Sequence, residues 1–415
     1  MKLQLIVLSL IITTIGFSQT PPLQPMNGPG GSDYTHNDVI FSNFTNWLSA
    51  DGYWLFEPDS PKPDSANLIV FNHGYGVFNP GPYAAWIEHL VKKGNIVIFP
   101  KYQLNDASVP STYTPNAIVG ITDALNELNT NPARVKPRME HFAIIGHSYG
   151  GVITSNLVTE YATYGTPKPQ CFMLCEPGTG GINTGRINSY VGMDTDYNAL
   201  IIVGENDIVV GNSFGREIYD STLISTTHKN YITQLEDSYG SPALEATHNE
   251  PLAADNTYDG GTVSAVITGG YVAAKTDAVD FYCYWKLADA LLNCTFYGTN
   301  CEYAFGDTDE QRFMGLWSDG TQATDLIVEP SQASNLNLVE GNTFSIFPNP
   351  TADLLYLKSK ESNLTYTIFD SKGSEILNGT GIENAEVSVK DISPGVYQIK
   401  IESRDKIEIL KFVKN

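Results

Sequence analysis

Phe142-Ala143-Ile144-Ile145-Gly146-His147-Ser148-Tyr149-Gly150-Gly151 is the stretch on which the reading of this chain turns. The apolar run Phe142 to Ile145 has the length of a buried strand, and from Gly150 to Tyr164 apolar residues recur at helical spacing. Between them lies a G-x-S-x-G pattern. Such a pattern turns a strand sharply into a helix and exposes the serine hydroxyl at the carboxyl edge of a sheet. Glycine is needed beside the serine because strand and helix leave no room there for side chains. Ser148 is therefore the candidate nucleophile.

Moving outward, short apolar runs alternate with helical patterns, which predicts a mostly parallel sheet covered by helices, an α/β class. The expected strands are Tyr53 to Phe56, Leu68 to Phe71, Ile96 to Phe99, Phe142 to Ile145, Cys171 to Leu174, Leu200 to Val203 and Tyr231 to Leu235. Expected helices are Asn116 to Leu128, Gly150 to Tyr164 and Ala278 to Leu292, the last ending before Cys294.

An acyl-transfer serine needs a base, an acid to orient that base, and donors for the oxyanion. Asp207 lies just past the end of the strand Leu200 to Val203 and is the preferred acid. Glu205 is its nearest rival, while Asp194, Asp196 and Glu176 read as loop carboxylates. Of seven histidines only His228 and His248 follow Asp207. His228 precedes a strand, at the wrong edge of the sheet, whereas His248 follows one, so His248 is assigned as general base. His36, His89 and His141 read as surface or structural histidines, and His147 as a local packing or bonding partner. The Tyr149 amide, directly after the serine, is the first expected oxyanion donor, and the Tyr75 amide, in His73-Gly74-Tyr75-Gly76 after an earlier strand, is the second. Residues 176–199 are too short and polar for a large apolar lid, so an open cleft lined by Tyr75, Phe78 and Tyr149 is expected.

The first residues read as an export signal. Lys2 precedes an apolar stretch from Leu3 to Ile15 and a small-x-small site, predicting a signal peptide over 1–18 cleaved after Ser18. The stretch is shorter than the ~20 residues of a membrane span, and no later segment supplies one. The chain has 415 residues and a net charge of −22, which repels nucleic acid and anionic lipid. Loss of Lys2 moves the charge to −23. Among five cysteines, Cys294 and Cys301 flank a short loop and form the expected disulfide, while Cys171 and Cys175 sit in an apolar run as buried thiols. No cysteine and histidine spacing resembles a zinc site. The predicted organisation is a catalytic domain over 19–330, a polar linker over 331–342, and an all-β sandwich over 343–415, where short alternating strands replace helical patterns.

Two resemblances add to this reading. The tail, through Phe347-Pro348-Asn349-Pro350-Thr351, Tyr366-Thr367-Ile368-Phe369-Asp370 with Gly373, Ile392-Ser393-Pro394-Gly395-Val396-Tyr397 and Lys411-Phe412-Val413, resembles the C-terminal sorting domain of the type IX secretion system. That implies export across an outer membrane, with the secretion machinery as partner; a carbohydrate-binding sandwich is the alternative. The stretch from about Tyr53 to Trp317 resembles the α/β-hydrolase superfamily, nearest to the dienelactone-hydrolase, acetylhydrolase and cutinase-like esterases. His73-Gly74-Tyr75, Gly146 to Gly151, Gly204-Glu205-Asn206-Asp207 and Ala246-Thr247-His248 carry the likeness. Tyr149 departs from it, standing where many cutinase-like enzymes have methionine. The resemblance implies cofactor-free hydrolysis of a small-molecule, lipid or polymer ester through an acyl-enzyme. A peptidase on the same fold and a non-catalytic surface binding protein are the rival functions.

Overall fold

The structure is a computed structural model that describes residues 18–182, 184–330 and, with short gaps, 344–415. The expected signal peptide falls outside the described residues except for Ser18, and the expected linker falls outside entirely. The chain divides into two compact units near Asn335.

The first unit is built on a nine-stranded mixed sheet. In chain order its strands are β1 (Asp38–Asn43), β2 (Tyr53–Asp59), β3 (Ser65–Asn72), β4 (Asn95–Pro100), β5 (Lys136–His147), β6 (Cys171–Cys175), β7 (Asn198–Gly204), β8 (Lys229–Gln234) and β9 (Ile327–Glu329). They lie in the order β1-β2-β4-β3-β5-β6-β7-β8-β9. The six strands from β4 to β8 run parallel, while β2 and β9 run against them, and β1 pairs antiparallel with β2 at the outer edge. Every parallel strand sends alternate apolar side chains to opposite faces. Ile69 and Phe71 of β3 enter one core and Leu68 and Val70 the other, and Ile145 and Ile144 of β5 divide the same way. Continuous apolar runs are what a strand covered on both faces requires.

Helices cover both faces. Helix α1 (Ala84–Lys92) packs Trp86, Ile87 and Leu90 into the first core. Helices α2 (Tyr113–Thr130), α3 (Tyr149–Tyr164) and α4 (Ser213–Ser221) cover the second. A surface helix, α5 (Ala265–Ala273), is capped by the Ser264 side chain accepting from the Ile267 amide (3.1 Å). A π-turn, Asp280–Tyr284, then leads into α6 (Trp285–Tyr297), which returns to the first core. Here one expectation is corrected. Helix α6 runs past Leu292 and includes Cys294, and Gly298 in the left-handed region (φ 65°) ends it. The Cys294–Cys301 disulfide is present and closes the turn that follows. Cys171, Cys175 and Cys283 are buried thiols.

This topology decides where a site can form. Chain order reverses at β3, whose neighbours β4 and β5 leave in opposite directions across the sheet. The connections after β3 and β5 therefore separate and leave a crevice beyond the carboxyl ends of the strands, the place where open α/β sheets bind ligands.

The second unit is all antiparallel β. Strands β10 (Phe344–Phe347), β11 (Leu354–Ser359) and β14 (Ala385–Ser388) form one sheet; β12 (Leu364–Phe369), β13 (Glu375–Gly381), β15 (Gly395–Glu402) and β16 (Ile407–Lys414) form the other. Leu355, Leu357, Ile368, Ile399, Ile401 and Phe412 belong to a single core of its own. Asn349 clips the last strand, its amide donating to the Lys411 carbonyl (3.0 Å) while its oxygen accepts from the Val413 amide (2.9 Å).

Candidate functional site

Ser148 sits on the turn between β5 and α3 with φ 55° and ψ −121°, a conformation that L-residues avoid. The surroundings hold it there. Its amide donates to the Cys175 carbonyl (2.9 Å), and its carbonyl accepts from Gly151 (2.9 Å) and Gly178 (3.2 Å). A Cβ on Gly146 would collide with the Gly150 carbonyl and Thr154 Oγ1, and one on Gly150 with the Asn72 carbonyl. The glycines of the motif are thus required by the approach of β3, β5 and α3.

The loops after β7 and β8 meet through the Asn206 amide, which donates to the Ala246 carbonyl (3.0 Å). Asp207 and His248 lie just beyond that contact. Glu250 shapes the second loop by accepting from Thr247 Oγ1 (2.6 Å). The result is a continuous chain: Ser148 Oγ lies 2.9 Å from His248 Nε2, and His248 Nδ1 lies 2.8 Å from Asp207 Oδ2. All three residues are buried. The other oxygen of Asp207 accepts from the Val209 (2.8 Å) and Val210 (3.0 Å) amides. Burial opposes the Asp207 charge, but the bond to His248, its charge and these two amides outweigh burial and hold the carboxyl below its ordinary range. Asp207 is therefore ionised at neutral pH and fixes the His248 proton on Nδ1, leaving Nε2 as an acceptor for the serine proton.

The two expected oxyanion donors, the Tyr149 and Tyr75 amides, lie after β5 and β3 respectively. Tyr149 is the first residue of α3, where N–H groups have no partner within the helix. In the loop after β3, the Gly74 amide is taken by Tyr83 Oη (2.8 Å) and the Gly76 amide by Gln103 Oε1 (2.8 Å). Tyr75 lies between these two anchored amides, with its ring hydroxyl bonded to the Asp106 carbonyl. The His73 ring stacks on Tyr102 at 3.8 Å and reaches the Lys101 carbonyl through Nε2 (2.8 Å), which ties the loop to the end of β4.

A cavity of about 410 Å³ opens over Ser148 and His248. Its lining includes Tyr75, Val77, His147, Val209, Asn249 and Leu252, together with Val266, Gly269 and Gly270 of α5. The expected lining is corrected here. Tyr75 contributes, but Phe78 is buried, and the Tyr149 ring packs into the second core with its hydroxyl on the Thr184 carbonyl. Sequence reasoning missed α5 as a wall. The signal was available: Gly260 to Ala274 carries no charged side chain, and Ser264 is a ready helix cap.

The rival residues lie elsewhere. Glu205 is exposed and accepts from the Glu236 amide. Asp194 and Asp196 pair with Lys168, each at 2.6 Å. His228 bonds Asn198 Oδ1 (2.7 Å) at the amino end of β8. His36 meets the Pro61 carbonyl, His141 meets Asn67 Oδ1, and buried His89 meets Asp289 (3.1 Å). Among the described residues, no group of three or more His, Cys, Asp or Glu side chains is placed to hold a metal ion.

Glu176 is no ordinary loop carboxylate. It follows β6 with φ 40°, is fully buried, and accepts from Tyr284 Oη (2.5 Å). Burial, reinforced by the Asp207 and Glu250 charges, pushes its carboxyl well above the ordinary value of 4.5 despite the Tyr284 bond. The folded chain thus keeps a proton that the unfolded chain releases above that value, so this group lowers stability as pH rises from there toward its folded value. Glu176→Gln, neutral at every pH, should lose less melting temperature than wild type as pH is raised above that ordinary value. Parallel curves from thermal unfolding would contradict this.

No curated protein matches the chain. Among the described residues, no helix is long and apolar enough to cross a membrane. Residues 345–415 match the secretion system C-terminal sorting domain, and the chain is accordingly carried across the outer membrane by the type IX system to the cell surface or the medium.

Proposed function

We propose that the first unit is a serine hydrolase with the α/β-hydrolase fold, cleaving carboxylic esters outside the cell without a cofactor. The observation that carries this reading is the unbroken Ser148–His248–Asp207 chain, with the serine on a strained turn at the carboxyl edge of the sheet. Ser148 Oγ attacks the ester carbonyl as His248 Nε2 takes its proton, and Asp207 stabilises the imidazolium that forms. The negative oxygen of the tetrahedral intermediate is received by the Tyr75 and Tyr149 amides. Collapse expels the alcohol, protonated by His248, and water then releases the acid from the acyl-enzyme by the same route.

The cavity supports an apolar acyl group. Val77, Val209, Leu252 and Val266 make most of its lining apolar, with Asn249 a polar side chain among them and Gly269 and Gly270 adding no side chain. The test is hydrolysis of p-nitrophenyl esters from acetate to palmitate. Turnover is expected, with kcat/KM highest for short acyl chains and falling toward palmitate. Turnover of amide substrates without turnover of any ester would replace this reading with a peptidase.

A further inference from the structure

Three buried hydrogen bonds join the two loops that flank Ser148. The Gly74 amide donates to Tyr83 Oη (2.8 Å), Tyr83 Oη lies 2.8 Å from His147 Nδ1, and His147 Nε2 lies 2.9 Å from the His248 carbonyl. The protons can be placed by elimination. The His248 carbonyl only accepts, so Nε2 must carry the ring proton and Nδ1, left bare, accepts the Tyr83 hydroxyl proton. A second ring proton would confront the Tyr83 hydroxyl proton. Burial, aided by the neighbouring His248, depresses His147 to about 3 and keeps its ring neutral.

We propose that Tyr83 and His147 are positioning residues, a strut that sets the separation between the oxyanion loop and the general base. This rests on the esterase reading. One end of the strut holds the amide next to Tyr75, and the other holds the carbonyl of the residue whose imidazole serves Ser148. Its middle sits against the nucleophile's own turn, since a Cβ on Gly74 would lie 3.2 Å from His147 Nδ1 and 3.3 Å from Ser148 Cβ. Neither residue needs to touch the reacting atoms for its loss to matter, because a displacement of about 1 Å between reacting groups costs on the order of 100-fold in rate.

Tyr83→Phe removes only the bridging oxygen, because the ring stays packed on Phe71 (5.2 Å) and Phe99 (6.0 Å). In the full-length protein, reactive serines are counted with a fluorophosphonate, and kcat per counted site is measured on a soluble p-nitrophenyl ester. The variant is expected to lose about 10-fold to 100-fold in kcat per site, with KM within about twofold. A merely structural role would reduce the number of sites and leave kcat per site unchanged, which would overturn the strut. His147→Gln keeps a donor toward the His248 carbonyl and should retain several-fold more activity per site than His147→Leu; equal activities would also overturn it. If Tyr83→Phe does not fold, the His147 pair decides. A wild-type protein inert to both phosphonate and ester would overturn the esterase reading itself, and the strut with it.

Discussion

Ser148→Ala is expected to lower kcat on a soluble ester by about 10⁵-fold to 10⁶-fold and to leave the fold in place. The oxygen removed makes one side-chain hydrogen bond, to His248 Nε2, so stability should shift by no more than about 1 kcal/mol. The backbone contacts that hold the strained turn belong to the Ser148 amide and carbonyl and survive the change. The loss in rate therefore belongs to the chemistry. Circular dichroism and thermal unfolding beside the kinetics separate the two, and a variant that keeps even a tenth of wild-type turnover would remove Ser148 from the mechanism.

Asp207→Asn should cost about 10³-fold to 10⁴-fold in kcat, through the proton on the neighbouring ring. The Val209 and Val210 amides need an acceptor, so the asparagine oxygen must stay on them and its NH₂ must turn toward His248 Nδ1. An NH₂ there forces Nδ1 to accept, which moves the ring proton to Nε2 and points it at the serine it should deprotonate. Glu205→Gln is expected to change kcat by less than about twofold, because Glu205 is exposed and bonded to the Glu236 amide. Equal losses in the two variants, or the reverse ranking, would move the orienting acid to Glu205. Asp207 also contributes to stability at neutral pH. Its pKa is lowered by folding, so that contribution is present above the ordinary carboxylate value and is lost as pH falls through the folded one.

The central strands were legible because a strand covered on both faces must be apolar at every position. Phe142 to Ile145 and Cys171 to Leu174 satisfy that rule without ambiguity. Edge strands obey no such rule. β1 is only half-buried and β9 is three residues long, and neither stands out from loop sequence. Helix α4 is short and mostly polar and buries only Phe214, Gly215 and Ile218, but Phe214 and Ile218 stand at helical spacing, so its signal was present and was missed. The placement of Asp207 and His248 after strands could be inferred from order along the chain, because strand ends in a parallel sheet share an edge. That a helix follows Ser264 could be inferred in the same way, but not that it walls the cavity, since Val266 and Leu252 come to line the same cavity as Ser148 only through long-range packing. The same holds for Tyr83 and Glu176, whose roles come from partners at His147 and Tyr284, far away in sequence.

Export depends on the tail, and the proposed hydrolysis on a single oxygen, Ser148 Oγ. Treating the mature protein with a fluorophosphonate and mapping the adduct by peptide mass spectrometry tests that oxygen directly. The account predicts one stoichiometric adduct, on Ser148, with ester turnover lost in proportion to labelling and no labelling of Ser148→Ala. Full turnover in a protein that carries no adduct, or an adduct on another residue that tracks the loss of activity, would contradict it.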